Sequence, residues 1–583
     1  MPAPQEQQIP QKKYIVFNEI ETMDTQGSRY DLPSKAAAWL ENLQPISKNR
    51  LQIMPAPIAA LTTLTGEIVT KKFYANYGGV DYVVEFCQSG AAYQVNLSNG
   101  AQVKFALAGT FTNPDMTQWQ SSRILIADPT AGYSTWDGTV FVKPGGLSPN
   151  FTITAGGSGY SSGATVGFSG GSGSGAAGTV TVVGGVVTGI VLTNAGSGYH
   201  AGDTITVTIS PVSGGSGATA TGKVWPILSI SPTTIAVFQG RVWLAAGRAL
   251  FWTGTGGFDD SSAGNASGQT TLSDADLVHS ITALRALNNY LFIFGDASIK
   301  QIGTIAVSGS TTLFTIITLS SDQGTTFPQS IASYNRLVLF ANTVGVYAIF
   351  GASVQKISDK MDGIFQATDF SQPLQAALND INNIRCYLLL ARYIDPVQGE
   401  RSIMMVFQNE KWFVTSQGNG LRAICSAIVG GVYETFGSSG SDVTQLIQST
   451  TTAISFLLRT ALSSNGNPHQ QKRAQRIGVA QSSASQGNVT LTADSENGSQ
   501  QAQYSVSNPI QWTNNVGSVV AWLNNSNNPV TFVGVGFLWQ RQDAKASGIT
   551  LGATLSGSLF GYTINAVVVE YEDSAPMVST GAR

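Results

Sequence analysis

The chain has 583 residues, of which 42% are hydrophobic and 11% are charged, with a net charge of −3. Since ordinary globular chains are about 25% charged, this composition favours β-structure whose uncharged polar faces are covered in a large assembly. The lack of a lysine and arginine cluster argues against a tight nucleic-acid-binding face, and three scattered cysteines, Cys87, Cys386 and Cys425, argue against a disulfide framework and fit a reducing cytoplasm.

The N-terminal segment, residues 1 to 56, is predicted to be an arm with one helix. Its first 30 residues are polar and lack the plan of a signal peptide. We expect a helix over residues 32 to 43, because Ser34 can cap it, alanines favour it, and a tryptophan and two leucines share one face. Pro45 would end this helix. No apolar run approaches the ~18 residues that cross a bilayer, so we expect no membrane span.

The middle of the chain repeats one pattern, in which two apolar runs are separated by a polar or glycine turn. The first runs begin at Asp81, Arg123, Arg241, Asn289, Arg336, Arg385 and Ala427. Each pair of runs predicts a β-hairpin, since β-branched and aromatic residues dominate it. With residues 148 to 224 set aside, about seven units recur every 41 to 49 residues, which is typical of propeller blades.

The sequence therefore predicts an all-β protein with a β-propeller of about six to eight blades over residues 57 to 147 and 225 to 450. Trp-Asp occurs once, at Trp136-Asp137, so the WD-repeat signature is missing.

Residues 148 to 224 form a glycine-rich block that repeats internally. Gly157–Tyr160 returns as Gly196–Tyr199, and Gly173–Ala176 is echoed by Gly215–Ala218. The alternating valine runs between these segments can bury a face, so we expect a small pseudo-twofold β-module inserted in a loop between blades. A disordered glycine and serine linker is the alternative.

The repeat ends near residue 451, and residues 451 to 583 are predicted to form a C-terminal β-sandwich-like domain. The predicted strands lie around residues 489–492, 519–522, 532–537 and 564–571.

The nearest match to an active-site motif is Gly217–Val224, which follows the phosphate-binding loop as far as Lys223. The match then fails, because Val224 replaces the magnesium-binding serine or threonine and Trp225-Pro226 replaces the helix. The glycines are better explained as turn residues.

Metal and acid–base sites receive little support from the sequence. His200, His279 and His469 lie far apart and lack spaced partner ligands. Asp259-Asp260 and Asp274-Ala275-Asp276 lack a calcium-binding loop, so we interpret them as solvated loop carboxylates. We predict no catalytic, cofactor-binding or metal-binding residue and no enzymatic activity.

Four arginines, Arg123, Arg241, Arg336 and Arg385, recur at equivalent places in the repeat. A ring of them could face a DNA channel. The alternative is that each begins a strand and bonds a carbonyl or a neighbouring blade, with its stem on apolar surface. We favour this alternative, because strong phosphate contacts would impede the passage of DNA.

One resemblance to a known family links these features. A Leu-Pro pair, a short helix, an asparagine and an Arg-Leu pair before the first hairpin resemble the opening segment of the tail nozzle (tubular or hub) proteins of short-tailed bacteriophages. The matching residues of this segment are Leu32-Pro33, Asn42 and Arg50-Leu51. The strand openings at Arg241 and Arg336 resemble the blade strands of that family, and the aromatic stretch Tyr133–Gly138 is also similar. The resemblance covers most of the chain outside residues 148 to 224. It implies a propeller that assembles as a homohexameric ring, with the C-terminal region building the platform of the ring.

The function that the resemblance implies is that of a structural virion protein, which closes the tail end and conducts the genome during ejection. Its implied partners are tail adaptor or portal-side ring proteins, tail fibres or spikes, and weakly bound passing duplex DNA. It would fold in the host cytoplasm and reside in the virion tail. A receptor-binding or glycan-cleaving tail protein is the alternative, since paired acids converge only in the fold. A cellular propeller that serves as an interaction scaffold is a third possibility.

Overall fold

The structure is a computed structural model that describes residues 11–576 except 227, 229, 274–276, 278, 396–398, 507–521, 524–528 and 531–537. Within this part of the chain, strands dominate, and one short α-helix, α1, spans Asp362–Gln366. The fold is a β-propeller with an inserted β-module and a C-terminal β-sandwich, which confirms the predicted fold class.

The N-terminal segment consists of strands. These are β1 (Lys13–Phe17), β2 (Thr22–Met23), β3 (Ala36–Glu41), β4 (Leu43–Ser47) and β5 (Arg50–Ile53).

The helix predicted over residues 32 to 43 is wrong, because β3 occupies most of its place. One side of β3 pairs with residues 457–460, and the other pairs with Val414. Helix propensities differ by only a few tenths of a kcal/mol per residue, so pairing along both edges outweighs them. Pro45, expected to end a helix, lies beside an irregularity in the pairing of β4 with β5.

A two-residue strand, β6 (Thr62–Thr63), precedes the first two blades. Blade 1 contains β7 (Val69–Tyr77), β8 (Val80–Cys87), β9 (Ala92–Asn96) and β10 (Gln102–Ala106). Blade 2 contains β11 (Asp115–Trp119), β12 (Arg123–Asp128), β13 (Gly132–Trp136) and β14 (Phe141–Val142).

The inserted module follows blade 2 and forms one six-stranded sheet. Its strands are β15 (Thr152–Ser158), β16 (Thr165–Ser169), β17 (Ser174–Val183), β18 (Val186–Ser197), β19 (Ile205–Ser210) and β20 (Ser216–Gly222). The sheet order is β15-β20-β19-β16-β17-β18. If β15, β16 and β17 are exchanged with β18, β19 and β20, the same order results when it is read from the other end. The sheet therefore has the pseudo-twofold symmetry that the internal repeat predicts. Each half buries one tyrosine, Tyr160 or Tyr199. Gly215 and Gly173 leave room for these rings, since a Cβ at either glycine would collide with the ring.

Five further blades complete the propeller. Blade 3 contains β21 (Thr234–Phe238), β22 (Arg241–Ala246), β23 (Ala249–Trp252) and β24 (Gly268–Thr271). Blade 4 contains β25 (Ile281–Leu287), β26 (Tyr290–Gly295), β27 (Ile299–Ser308) and β28 (Thr311–Ser320). Blade 5 contains β29 (Ala332–Tyr334), β30 (Leu337–Ala341), β31 (Val346–Phe350) and β32 (Ser353–Lys356). Blade 6 contains β33 (Gln375–Ile381), β34 (Ile384–Asp395), β35 (Gly399–Gln408) and β36 (Lys411–Thr415). Blade 7 contains β37 (Ala423–Val429), β38 (Val432–Ser438) and β39 (Asp442–Leu446).

The propeller is closed by its N-terminal strand, because β6 pairs with β39 and becomes the fourth strand of blade 7. The first strand of blade 7, β37, also packs against the first strand of blade 1, β7. Apolar clusters lie between consecutive blades, as between blades 7 and 1, where Val69, Val83, Cys425 and Phe436 pack together. The core of the propeller is thus divided among the blade interfaces.

The repeated runs of the sequence correspond to blades. Six of the seven predicted first runs lie on the second strand of a blade, and their partner runs lie on the third strand. The seventh, at Ala427, lies on the first strand of blade 7.

The remaining strands build the C-terminal domain. They are β40 (Ile454–Thr460), β41 (Gln470–Ser482), β42 (Gly487–Ser495), β43 (Gly498–Val506), β44 (Trp522–Leu523), β45 (Pro529–Val530), β46 (Leu538–Gly548), β47 (Leu551–Leu559) and β48 (Thr563–Pro576). The predicted strands at 489–492 and 564–571 lie within β42 and β48. Those at 519–521 and 532–537 lie outside the described residues.

The C-terminal domain is a sandwich that shares a sheet with the propeller. One layer has the order β4-β5-β48-β41-β46, with β1 also paired to β48. The other layer belongs to a ten-stranded sheet of order β33-β34-β35-β36-β3-β40-β47-β42-β43, in which β2 also pairs with β3. Blade 6 is therefore continuous with the sandwich. Among the described residues, no helix has the length and apolar character needed to cross a membrane.

Candidate functional site

The innermost strands of the propeller carry a cluster of polar and charged side chains. Arg285 on β25 donates hydrogen bonds of 2.8 and 3.1 Å to the two carboxylate oxygens of Asp115 on β11. Thr234 on β21 donates its hydroxyl to the same carboxylate at 2.6 Å. Arg285 and Asp115 join blade 4 to blade 2, and non-neighbouring blades of a propeller approach each other only near its axis. The cluster therefore lies close to the propeller axis.

A second bridge crosses from blade 6 to blade 1. The side-chain amide of Gln375 on β33 donates to the carbonyl oxygens of Thr70 at 3.2 Å and Arg422 at 2.9 Å, and its oxygen accepts from the Ile424 amide. Innermost strands have one unpaired edge, and buried backbone groups need hydrogen-bond partners. These polar side chains supply such partners at the axis.

Lys71 on β7 adds a cation beside this cluster. Burial lowers the pKa of Lys71 to about 8, an effect that Asp115 opposes and Arg285 reinforces. The Lys71 ammonium donates to the Asn113 side-chain oxygen at 2.6 Å and to the Pro114 carbonyl at 2.9 Å. A lysine with a lowered pKa can serve as a base or nucleophile. Here both hydrogen bonds brace the chain between blades 1 and 2, which is a structural role.

The segment that resembles a phosphate-binding loop has another structure. Residues 216–222 form β20, which pairs with β15 and β19. Lys223 follows this strand and forms an ion pair of 3.1 Å with Asp259, which also accepts a hydrogen bond from Ser148. Lys223 thus ties the base of the inserted module to blade 3.

The three histidines lie in separate places. His200 contacts Ser172 in the inserted module, and the Ser172 hydroxyl donates to Asp203 at 2.7 Å. Backbone hydrogen bonds from Ser172 and His200 lower the pKa of Asp203 to about 2. His279 contacts the Asp296 carboxylate at an exposed site in blade 4, and the backbone of His469 bonds to the Asn467 side chain in the C-terminal domain.

The remaining acid candidates also have local partners. Asp260 accepts hydrogen bonds from Ser262 and Asn265, whereas Asp274 and Asp276 lie outside the described residues. No group of three or more histidine, cysteine, aspartate or glutamate residues suited to a metal occurs in the part of the chain that the structure describes.

Arg241 is fully buried and bonds carbonyl groups, as the alternative interpretation of the blade arginines predicts. Its guanidinium donates to the carbonyl oxygens of Thr253 at 2.7 Å and Ala266 at 2.8 Å, and to the Thr255 hydroxyl. It holds the loop between β23 and β24 against β22.

The other blade arginines differ in their contacts. Arg385 forms hydrogen bonds of 2.9 and 3.0 Å with Asp380 and lies over the Tyr433 ring of blade 7. Arg123 lies 4.6 Å from the centre of the Phe258 ring of blade 3, and burial lowers its pKa. Arg336 is exposed at a turn with a φ of 71°. Three of the four therefore join or brace blades.

Two of the cavities lie beside blades 6 and 3. One of about 340 Å³ beside blade 6 contains Arg392, Arg401 and Arg422. The other, of about 370 Å³, lies beside blade 3 and the segment after the module. Its walls include Tyr133, Phe251 and Trp252, and hydroxyl and amide groups complete the lining.

Sequence reasoning missed the axial residues. Asp115 and Arg285 are far apart in sequence, and their pairing follows from the closure of the ring. The sequence contains one signal for these axial residues. A single charged residue, Asp115 or Arg285, lies shortly before each of the apolar runs that begin at Arg123 and Asn289.

Comparisons with known proteins give fold-level likeness only. No protein-family model matches the chain, and no curated protein matches its sequence. Among solved structures, Raptor from Chaetomium thermophilum is similar at 7% identity and a TM-score of 0.35, over 67% of this chain and 29% of Raptor. BamB from Moraxella catarrhalis is similar at 10% identity and a TM-score of 0.31, over 65% of this chain and 83% of BamB. The chain thus spans less than a third of Raptor.

Proposed function

We propose that the chain is a structural subunit of the tail nozzle of a short-tailed bacteriophage. Six copies would form a ring that closes the tail end and conducts the genome during ejection. Tail adaptor or portal-side ring proteins would bind one side of the ring, and tail fibres or spikes would attach to it.

The ten-stranded sheet carries this proposal. It runs from blade 6 through the N-terminal strand β3 into the C-terminal sandwich, and β36 and β3 pair at Val414 and Glu41. Arg401 of blade 6 also bonds Glu41 of β3 through two contacts of 3.2 Å. A propeller and platform joined in this way would transmit force as one body, which suits a ring under the pressure of a packaged genome.

The axial bridges support the ring as the conduit. Arg285 with Asp115 and Gln375 with Thr70 join non-neighbouring blades near the propeller axis. Duplex DNA would have to break these contacts to pass through a single propeller. The proposed path is therefore the opening between subunits.

The low charge of the chain supports passive conduction. Only 11% of its residues are charged. Each lysine or arginine that contacts a phosphate adds salt-dependent affinity, so a wall with few such contacts would let DNA slide. We expect weak, non-specific binding of duplex DNA. Tight binding by the purified ring that weakens steeply with salt would contradict this mechanism.

Negative-stain imaging of the purified full chain, together with mass measurement by light scattering, tests the proposal. Six-fold rings with a central opening wider than duplex DNA are the expected result. Single compact particles over the whole accessible concentration range would contradict it. Adding purified adaptor-ring protein would then show whether the ring binds on one face only.

The aromatic cavity beside blade 3 favours one second candidate, a receptor-binding tail protein that recognises a glycan. Aromatic rings with nearby hydroxyl and amide groups are typical of a pocket for an uncharged polar ligand. Binding of neutral host polysaccharide that is lost in Trp252→Ala would favour this candidate. Release of reducing sugar would indicate the glycan-cleaving form.

A further inference from the structure

The outermost strands of the blades differ in how their free edges are protected. Most are short, since β14 has two residues and β24 and β32 have four each. The five-residue β10 carries Lys104, and β36 of blade 6 is covered by β3. Blade 7 ends in the two-residue β6. Short length, charge and coverage are common means of preventing unwanted strand pairing.

Blade 4 lacks all three kinds of protection. Its outermost strand, β28, has ten residues, and the stretch Gln301–Ser320 contains no charged residue. Leu313 and Ile317 lie on one face of β28 and are 52% and 50% exposed. Among the described residues, no strand pairs with the outer edge of β28. A long, uncharged edge of this kind is a template for an added strand.

The edge is rigid. Phe314 of β28 lies 5.4 Å from Trp243 and 5.1 Å from Trp252, measured between ring centres, and Thr312 donates its hydroxyl to the Ala266 carbonyl. The hairpin of β27 and β28 is thus anchored on blade 3. An incoming strand would meet a formed edge and need not order it, which lowers the entropic cost of binding.

A second edge of similar length, also without charge, lies in the C-terminal sandwich. Strand β43 has nine residues without charge, and it ends the ten-stranded sheet in the part of the chain that the structure describes. Ser499, Gln500, Gln501 and Gln503 are exposed on it. The edge strand of the opposite layer, β46, instead carries Arg541, Asp543 and Lys545.

We propose that β28 of one copy pairs edge to edge with β43 of a second copy of this chain. The two strands are similar in length, and neither brings a charge that the contact would bury without a partner. The proposal rests on the proposed function, because it identifies the contact between neighbouring subunits of the nozzle ring. The two edges belong to different parts of the chain, so the contact is heterologous, and repetition of such a contact generates a ring or a filament.

Charge substitution on the exposed face of β28 is the first test. Leu313→Lys combined with Ile317→Lys places two cations at the edge without removing a fully buried side chain. We expect the concentration at half-assembly to rise about tenfold or more. Val344→Lys is the matched control, since Val344 is 57% exposed in a loop of blade 5 and lies on none of the proposed contacts. An unchanged assembly of the double variant would overturn the proposal.

Cross-linking between mixed copies is the second test. One copy carries Thr315→Cys, the other carries Gln503→Cys, and a short bis-maleimide should join them into a hetero-dimer. The three native thiols, Cys87, Cys386 and Cys425, are buried, and burial raises the pKa of each, so they give little background. A copy with Val103→Cys on the edge strand β10 replaces the Gln503→Cys partner as the control and should give no hetero-dimer.

The outcomes separate the strand pairing from the nozzle. Six-fold rings that form without this cross-link and resist the lysine substitutions would overturn the pairing and leave the nozzle intact. Efficient cross-linking in particles that are not six-fold rings would confirm the pairing and overturn the nozzle. Chains that stay monomeric at all concentrations would overturn the pairing.

Discussion

Blades 4 and 6 contain the same four antiparallel strands, but their outer edges have different environments. In blade 6 the outermost strand, β36, pairs with β3 from the N-terminal segment. In blade 4 the outermost strand, β28, is twice as long and has no strand beside it in the part of the chain that is described. The chain thus pairs the outer edge of blade 6 with its own strand β3. We propose that a second copy pairs with the outer edge of blade 4.

The outermost strands of the two blades also differ in how deeply their phenylalanines are buried. Phe413 on β36 is fully buried, whereas Phe314 on β28 is half-buried against two tryptophans. We expect blade 6 to be stable in an isolated subunit. The outer part of blade 4 should gain most of its protection from assembly.

The largest expected effect is the loss of stability from truncating the two phenylalanines. Phe413→Ala should lower the free energy of unfolding by about 4 kcal/mol, because it leaves a cavity in a closed core. Phe314→Ala should cost about 2 kcal/mol, because its aromatic contacts lie on one side only. Urea unfolding of the monomer measures both values. Equal losses would remove the proposed difference between the blades.

Asn42 joins β3 to blade 6 and provides the second prediction. Its side chain donates to the Ser455 carbonyl and the Ser416 hydroxyl, both at 2.6 Å, and accepts from Thr415 and the Ser416 amide. Asn42→Leu should cost about 3 kcal/mol in urea unfolding, since several buried polar groups lose their partners.

Asn49→Leu, in the exposed turn between β4 and β5, is the control and should change stability by less than about 0.5 kcal/mol. If Asn42→Leu lowers the free energy of unfolding no more than Asn49→Leu does, the hydrogen bonds of Asn42 do not hold β3 against blade 6.

The ion pair between blade 6 and β3 should have a smaller effect. Arg401 bonds Glu41 and Asp395 and lies over the Trp39 ring. Arg401→Met should cost about 2 kcal/mol, because it removes the cation that bridges the Glu41 and Asp395 carboxylates at a mostly buried site. Combining it with Glu41→Gln should recover part of this loss in the same unfolding experiment. No recovery would assign the effect to lost packing against the tryptophan.

The smallest expected effect on the monomer belongs to blade 4. Leu313→Lys should change the unfolding free energy of the isolated subunit by less than about 0.5 kcal/mol, because the side chain is half-exposed. The same variant should weaken assembly, as sedimentation over a concentration series would show. A large loss of monomer stability would indicate that Leu313 supports the blade and not a contact between copies.

The propeller could be predicted from sequence because the second strand of each of blades 1 to 6 is mostly buried. Runs such as Arg241–Leu244 and Arg336–Phe340 are therefore apolar at nearly constant spacing. The pseudo-twofold module was predictable because its two halves repeat the same glycine and tyrosine pattern. In each half the tyrosine, Tyr160 or Tyr199, occupies a pocket lined by glycine.

The features that could not be predicted from the sequence depend on residues that lie far apart along the chain. Ala36–Glu41 has good helix formers and becomes a strand only because β40 and β36 pair with it. The axial pair of Asp115 and Arg285 forms because the ring closes. Strand β28 contains no special motif, and its length could have been inferred from the uncharged stretch Gln301–Ser320.

Hydrogen exchange of the two outer strands, measured by mass spectrometry over a series of protein concentrations, tests the central claim most directly. Peptides that cover Lys411–Thr415 should be protected at every concentration, because β3 already pairs with β36. Peptides that cover Thr311–Ser320 should gain protection as the subunits assemble, together with peptides from β43. Assembly without added protection of β28 would contradict the account.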